Sequence, residues 1–202
     1  MVYIFNSFPA DIVIAANAFI IFLGGFETTS STLAFMFLEL AANEEVQEKM
    51  REEIRQVEAK YKEITYDSLH ELTYMEMVIQ ETLRLYPPFP TIQRVCTKDY
   101  AIPETDVVVE EGTIVVFPIL GIHRDEQYFA RADAFEPERW REPRAPPPPG
   151  VYLPFGDGPS SGLLQTFSFP SLSFPLVPFQ TPRKPIKAKQ TKRHVQTTGS
   201  SK

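Results

Sequence analysis

The most diagnostic stretch of this 202-residue chain reads Tyr152-Leu153-Pro154-Phe155-Gly156-Asp157-Gly158-Pro159, followed by Ser160-Ser161-Gly162-Leu163-Leu164. It also marks a change in composition. No acidic residue follows Asp157, whereas seven of the 20 basic residues do, which leaves 13 basic against 26 acidic residues before the change. The chain therefore joins an acidic sequence to a basic one.

The composition of the chain is that of a globular protein, with 43% hydrophobic and 23% charged residues. Its single cysteine is Cys96, so no disulfide can form within these residues. A reducing compartment is therefore the default expectation.

The first long element predicted is a helix over residues 11–42, where no proline occurs and apolar residues surround the axis instead of forming a stripe. Asp11 is a suitable N-cap. The apolar run at 12–26 is shorter than the ~20 residues that span a membrane, and Asn17 interrupts it. We interpret it as a buried helix of a soluble domain; a membrane or signal segment is the alternative.

Two more helices and a small β-sheet are predicted downstream. Apolar residues spaced by three and four indicate an amphipathic helix over 44–62, and a further helix over 67–85 must end before Pro87-Pro88. Short β-rich runs follow at 91–100, 107–109 and 113–118. Residues 123–142 are expected to be irregular, with one short helix. The fold class predicted is mainly α with a small β-sheet.

The basic end of the chain predicts no packed structure. Prolines at positions 170, 175, 178, 182 and 185 exclude a long helix, and the remaining residues are polar and basic. We expect a disordered tail over 160–202, outside a folded unit at 1–159.

A glycine pair interrupts the first helix at Gly24-Gly25-Phe26-Glu27-Thr28. Each glycine costs about 1 kcal/mol relative to alanine within a helix, so a compensating role is expected. Close approach of a planar ligand is one such role and tight helix packing is the alternative. Thr28 can donate a hydrogen bond to the Gly24 carbonyl and bend the helix, and Glu27 could relay protons.

The sequence Glu81-Thr82-Leu83-Arg84 is uninformative by spacing alone, because other Glu/Arg pairs three residues apart occur in the chain. Its context distinguishes it, since it lies in an apolar helix that ends at a proline pair. From its sequence context alone, Arg94 is interpreted as an ordinary arginine of a strand. His123 is interpreted as a residue that stabilises the local structure through hydrogen bonds.

Taken together, the order and spacing of these motifs and of Phe135-Glu136-Pro137-Glu138-Arg139-Trp140 resemble the C-terminal part of the cytochrome P-450 (heme-thiolate monooxygenase) family, in particular its insect microsomal detoxification branch. The resemblance implies a partial cytochrome P-450 fold. It implies proton delivery by Glu27 and Thr28 and a structural network of Glu81, Arg84 and Arg139. Heme contacts are implied for Gly24, Gly25, Arg94, Phe155, Gly156 and Gly158.

The chain departs from the family at the heme loop, which reads Phe-Gly-x-Gly-x-Arg-x-Cys-x-Gly in the family. Ser160 stands at the arginine position, Gly162 at the cysteine position and Leu164 at the last glycine position. The cysteine thiolate is the axial ligand that promotes O–O cleavage on heme iron. Glycine has no side chain, so thiolate ligation at this position and a metal ligand there are not expected. Cys96 lies far from this loop in sequence and is interpreted as a small apolar residue.

The family function implied is insertion of one oxygen atom into an apolar small molecule, with heme as cofactor. Electrons come from NADPH through a reductase partner. The full-length family is expected at the cytoplasmic face of the endoplasmic reticulum membrane, and no nucleic acid is expected as a partner. Two alternatives remain: a non-catalytic truncated, pseudogene or mis-spliced fragment, and a membrane-tethered interaction protein with a basic tail.

Overall fold

The computed structural model describes residues 10–62, 65–141 and 147–158. Within these ranges the protein is mainly α-helical with a small amount of antiparallel β structure, as predicted. The α-helices are α1 (Ala10–Ala42), α2 (Glu44–Tyr61), α3 (Thr73–Leu85) and α4 (Ile119–His123); two 3₁₀ turns lie at Asp67–Glu71 and Pro137–Trp140. The predicted tail lies outside the described residues.

The core forms where α1, α2 and α3 meet. Only the C-terminal half of α1 contributes to it, through Met36 and Leu40. Helix α2 presents one apolar face, as its sequence spacing predicts, and its last residue is followed by Lys62 in the left-handed conformation (φ 61°). The fully enclosed residues of this core include Met36, Leu40, Met50, Leu72, Met75 and Val78.

The N-terminal half of α1 is exposed, although the sequence predicts a buried helix. Ile20, Ile21 and Phe22 are 65%, 76% and 65% exposed, and Phe26 is exposed as well. Helix α1 packs against α2 and α3, and its buried residues begin at Thr32, whereas nearly all residues before position 28 are exposed. By length and apolar composition, residues Asp11–Ala42 could cross a membrane.

Helix α3 starts later than predicted, because residues 67–85 are not one helix. The turn Asp67–Glu71 is followed by Leu72 with φ −83° and ψ 60°, which ends it. Glu53 of α2 then accepts hydrogen bonds from the backbone N–H groups of Tyr74 (2.6 Å) and Met75 (2.9 Å). A carboxylate from a neighbouring helix therefore caps α3 and fixes where it begins.

The β-rich runs form two antiparallel ribbons and not one sheet. Strand β1 (Ile92–Val95) pairs with β4 (Ile114–Phe117), with Ile92 opposite Phe117 and Arg94 opposite Val115. Between them, β2 (Tyr100–Ala101) pairs with β3 (Val108–Val109). Helix α4 follows β4 directly and brings the chain back to α3.

Candidate functional site

The centre of the site is a fully enclosed ion pair between Glu81 and Arg84 on α3. Arg84 donates from Nε to Oε2 and from Nη2 to Oε1 of Glu81, both at 2.9 Å. Its remaining hydrogen bonds reach backbone carbonyls of His123 (2.7 Å), Ala132 (2.7 Å) and Ala134 (3.0 Å). All five N–H groups of the guanidinium thus have partners.

Glu81 also receives three donors from the segment that follows residue 134. Arg139 donates from Nε at 3.0 Å and Trp140 from Nε1 at 2.9 Å. The backbone N–H of Glu136 donates at 2.9 Å. The three side chains that the resemblance groups together, Glu81, Arg84 and Arg139, therefore lie in direct contact although 58 residues separate the first from the last.

This network fixes geometry more than it adds net stability. Enclosed charges lose their hydration, and their mutual attraction compensates only when the geometry is good and the remaining hydrogen bonds are satisfied. Both conditions hold here, because Glu81 accepts five hydrogen bonds and Arg84 donates five. Loss of one partner would leave a lone charge without solvent.

His123 ends α4 and joins this network to the stretch before residues 155–158, which we call the glycine loop. Its ring Nδ1 lies 3.1 Å from the carbonyl oxygen of Arg84, and Leu153 N–H donates to its Nε2 at 2.9 Å. The pKa of His123 is lowered to about 4, mainly by burial and also by the charge of Arg84, while the hydrogen bond to the Arg84 backbone acts in the opposite direction. Burial likewise raises the pKa of the Tyr152 hydroxyl, with a further contribution from the Glu81 charge.

Arg94 lies at the mouth of a small cavity beside the glycine loop. The cavity measures about 150 Å³ and is lined by Ile92, Arg94, Phe117, Ile119, Leu153, Gly156 and Asp157. Gly156 has φ +77°, and a Cβ placed on it would lie 3.0 Å from Ile92 Cδ1 and 3.8 Å from Arg94 Nη2. The loop therefore approaches β1 closely at a position that only glycine occupies without strain.

The glycine pair of α1 lies apart from this network. Thr28 Oγ1 donates to the Gly24 carbonyl at 2.6 Å, the hydrogen bond that the sequence predicts. Glu27 is exposed, and no atom lies within 4 Å of a Cβ built on Gly24 or Gly25. The motif therefore has the predicted local geometry, but the described residues do not join it to Glu81 or to the loop.

A second tyrosine lies where α1 meets α3. Tyr86 donates to Glu39 at 2.6 Å and stacks on Phe35 with ring centroids 4.4 Å apart. Burial raises the pKa of Tyr86 to about 12, and the hydrogen bond to Glu39 adds to the shift. This contact anchors the buried half of α1 to the end of α3.

The described residues do not fit a heme as a complete binding site. Arg94 could meet a carboxylate of such a group, but the cavity beside it is smaller than the roughly 300–1,000 Å³ of ordinary ligand pockets. Both ring nitrogens of His123 are engaged, and Cys96 donates to the carbonyl of Lys98 at 2.9 Å. His70 lies in the first 3₁₀ turn with its ring edge against Tyr66. The axial donor position falls at Gly162, outside the described residues.

Sequence reasoning missed three contributors to the site. Trp140 completes the set of donors to Glu81, Tyr152 packs 4.6 Å from Trp140, and Glu53 caps α3. No local signal identifies Glu53, because its partners lie 21 and 22 residues away. Trp140 could have been singled out as the only tryptophan of the chain, directly after Arg139.

Comparison with known proteins gives one consistent family. The sequence profile described as Cytochrome P450 matches residues 8–161. The chain is 41% identical over 148 residues to probable cytochrome P450 6d5 of Drosophila melanogaster, a match that covers 73% of this chain and 29% of that protein. It is 44% identical over 148 residues to cytochrome P450 6l1 of Blattella germanica, covering 72% and 29%. Cytochrome P450 6k1 of Blattella germanica is 37% identical over 172 residues, covering 84% and 33%.

This chain belongs to the cytochrome P450 family, as its motifs predict. It spans about a third of the length of the curated relatives it matches.

Proposed function

We propose that this chain carries the scaffold of a heme-dependent monooxygenase and does not itself catalyse oxygen insertion. Family membership supports the monooxygenase class, that is, NADPH-dependent oxidation of an apolar small molecule with a reductase as electron donor. In that class, Glu27 and Thr28 would deliver protons, and Arg94 and the loop at Phe155, Gly156 and Gly158 would contact the heme.

The observation that carries the proposal is the contrast between the intact network and the altered ligand position. Arg84, Arg139 and Trp140 all donate hydrogen bonds to the enclosed carboxylate of Glu81, at 2.9 to 3.0 Å. Gly162 stands where the ligand cysteine is expected, and Ser160 where the resemblance places an arginine. A scaffold without this cysteine can keep its hydrogen-bonded geometry, but it has no thiolate to promote O–O cleavage on heme iron.

Turnover with a reductase tests this proposal. The purified chain is mixed with an NADPH-dependent reductase, NADPH and an apolar aryl ether whose dealkylated product fluoresces. An intact family member prepared in the same way is the positive control. We expect product formation no faster than in a reaction without the chain. Product that depends on both NADPH and the chain would contradict the proposal.

The proposal extends to the division of the chain into two parts. We infer that residues 160–202 lie outside the scaffold; in support, the family profile covers residues 8–161, and no acidic residue accompanies the basic ones beyond Asp157. The scaffold itself corresponds to residues 1–159.

A second candidate function, membrane attachment through α1, is supported by the exposure of its apolar residues. The apolar part of Asp11–Ala42 is long enough to cross a bilayer and none of its most apolar window is buried. Attachment would agree with the endoplasmic reticulum expected for the family. Flotation with neutral phospholipid vesicles tests it.

Ile20→Lys with Ile21→Lys should abolish flotation, since a charge within the hydrocarbon region is unfavourable by a few kcal/mol. Tyr66→Lys, at an exposed position elsewhere, is the matched control and should not change it. Flotation that survives both lysines, or that is absent in the unchanged chain, would exclude attachment through α1.

A further inference from the structure

We propose that His123 and Tyr152 are positioning residues that hold the glycine loop, residues 155–158, in register with α3. The inference rests on the proposed function only in assigning that loop to the cofactor side of the scaffold. The contacts that carry it belong to the described residues alone.

The first contact fixes one tautomer of His123. A backbone N–H can only donate, so the Leu153 N–H at 2.9 Å requires Nε2 to be an unprotonated acceptor. Nδ1 then carries the proton and donates to the Arg84 carbonyl at 3.1 Å. Arg84 in turn donates to the His123 carbonyl at 2.7 Å. His123 and Arg84 thus bind each other reciprocally, and the second ring nitrogen of His123, Nε2, binds the segment that enters the loop.

The second contact is made by Tyr152, one residue earlier. Its hydroxyl donates to the Gln80 carbonyl at 3.1 Å, and its ring stacks on His123 with centroids 5.4 Å apart. Gln80 and Arg84 are one helical turn apart on α3. The segment entering the loop is therefore held at two successive turns of the same helix, which determines both its distance from α3 and its register along it.

The loop geometry depends on that segment. Leu153 accepts a hydrogen bond from the N–H of Gly156 at 3.1 Å, which closes a turn. Gly156 then lies so close to Ile92 that a Cβ would be 3.0 Å from its Cδ1, and Arg94 lies just beyond. A shift of Leu153 must therefore move Gly156 against β1 and change the cavity beside Arg94.

Residue-resolved amide hydrogen exchange of the full chain tests the inference with a matched pair of variants. In His123→Gln the side-chain amide reaches the position of Nε2 and can accept from Leu153. In His123→Asn, one methylene shorter, the amide reaches only toward the Arg84 carbonyl. Both variants lose the imidazole ring. The difference between them is therefore the hydrogen bond to the Leu153 N–H, which only the Gln variant can make.

We expect His123→Asn to accelerate exchange of the Leu153 and Gly156 amides about tenfold or more, because the partly buried N–H of Leu153 loses its acceptor and the turn that it anchors is released. His123→Gln should restore protection to within about threefold of the unchanged chain, since one neutral hydrogen bond is regained. The amide of Ile79, in the core part of α3, should exchange alike in both variants.

Equal exchange at Leu153 in the two variants would overturn the inference, as would equal acceleration at Ile79 and Leu153 in His123→Asn. If His123→Asn does not fold, Tyr152→Phe tests the inference instead. It keeps the ring and loses only the hydrogen bond to Gln80, so Leu153 should exchange a few-fold faster while Ile79 does not change. Unchanged exchange at Leu153 in Tyr152→Phe would then count against the inference.

Discussion

Arg139 Nε donates to Glu81 Oε1 at 3.0 Å and so joins two segments that lie 58 residues apart in the sequence. The carboxylate is fully enclosed, and Arg139 is 10% exposed. This contact holds the second 3₁₀ turn, Pro137–Trp140, on α3 and brings Trp140 within reach of the same carboxylate. The network therefore connects the helical core to the second 3₁₀ turn, over a long distance in sequence.

Neutralising Glu81 should destabilise the protein strongly. Glu81→Gln leaves the guanidinium of Arg84 enclosed without its counter-charge, and we expect the free energy of unfolding to fall by about 3 to 5 kcal/mol. Urea unfolding followed by circular dichroism measures the change. Glu45→Gln is the matched control, because Glu45 pairs only with Lys49 at the surface among the described contacts, and it should cost less than about 1 kcal/mol. Similar losses in both variants would show that the network has no special role.

The start of α3 should depend on Glu53. Its carboxylate accepts from the N–H groups of Tyr74 and Met75, so Glu53→Ala should lower the free energy of unfolding by about 1 to 2 kcal/mol, as for loss of a helix cap. The neighbouring Glu52 is 55% exposed and pairs with Arg55. Glu52→Ala should change the free energy of unfolding by less than about 0.5 kcal/mol. A larger effect at position 52 than at 53 would refute this account of the cap.

Stability should decline in mild acid because of His123. The folded protein keeps this ring neutral with a pKa of about 4, whereas the histidine of the unfolded chain is protonated near its ordinary pKa of 6.5. The unfolded state therefore binds more protons between these values. The contribution of His123 is complete above pH 6.5, is lost progressively as the pH falls to about 4, and then levels off. The total change is on the order of 3 kcal/mol.

The difference in unfolding free energy between the unchanged chain and His123→Gln isolates this contribution from that of the carboxylates. It should shrink as the pH falls from 6.5 to 4. His70→Gln, at an exposed position, is the control and should leave the pH dependence as it is. A difference that grows toward low pH would contradict the assigned tautomer.

The glycine loop should not accept a side chain at position 156. Gly156→Ala introduces both a left-handed alanine and a contact of 3.0 Å with Ile92, so it should cost more than Gly112→Ala. Gly112 has φ +84° but no atom within 4 Å of a Cβ, so only the backbone cost of about 1 to 2 kcal/mol applies there. Thermal unfolding of both variants gives the comparison, and equal costs would show that the loop does not pack closely on β1.

Local sequence patterns predicted α1, α2, the end of α3 and the approximate positions of the strands, since proline positions and apolar spacing are properties of each segment alone. The short helix α4 was not predicted. The break at Leu72 was not predictable in that way, because the cap of α3 comes from Glu53 on another helix. The role of Trp140 depends on a tertiary contact and was missed for the same reason.

The exposure of Phe22 and Phe26 could not be predicted from sequence. An apolar helix is expected to be buried, but whether a neighbour covers it depends on elements outside the helix itself. The clustering of Glu81, Arg84 and Arg139 was expected only through the family resemblance, because spacing alone does not distinguish Glu81 from other Glu/Arg pairs.

The basic end of the chain remains a prediction from sequence. If residues after about 160 do not belong to the folded unit, trypsin should cut first between Arg183 and Arg193, where six basic residues lie within eleven positions. Mass spectrometry of early time points identifies the cuts. Digestion of the body while these sites stay intact would show that the tail packs on the scaffold.

The reduced carbon monoxide difference spectrum tests the central claim most directly. The chain is purified with added hemin, reduced and exposed to carbon monoxide, with an intact family member as positive control. Because Gly162 cannot supply a thiolate, we expect no Soret band at the position characteristic of thiolate ligation. A thiolate band from this chain would contradict the claim, and its disappearance in Cys96→Ser would identify Cys96, the only cysteine, as the ligand.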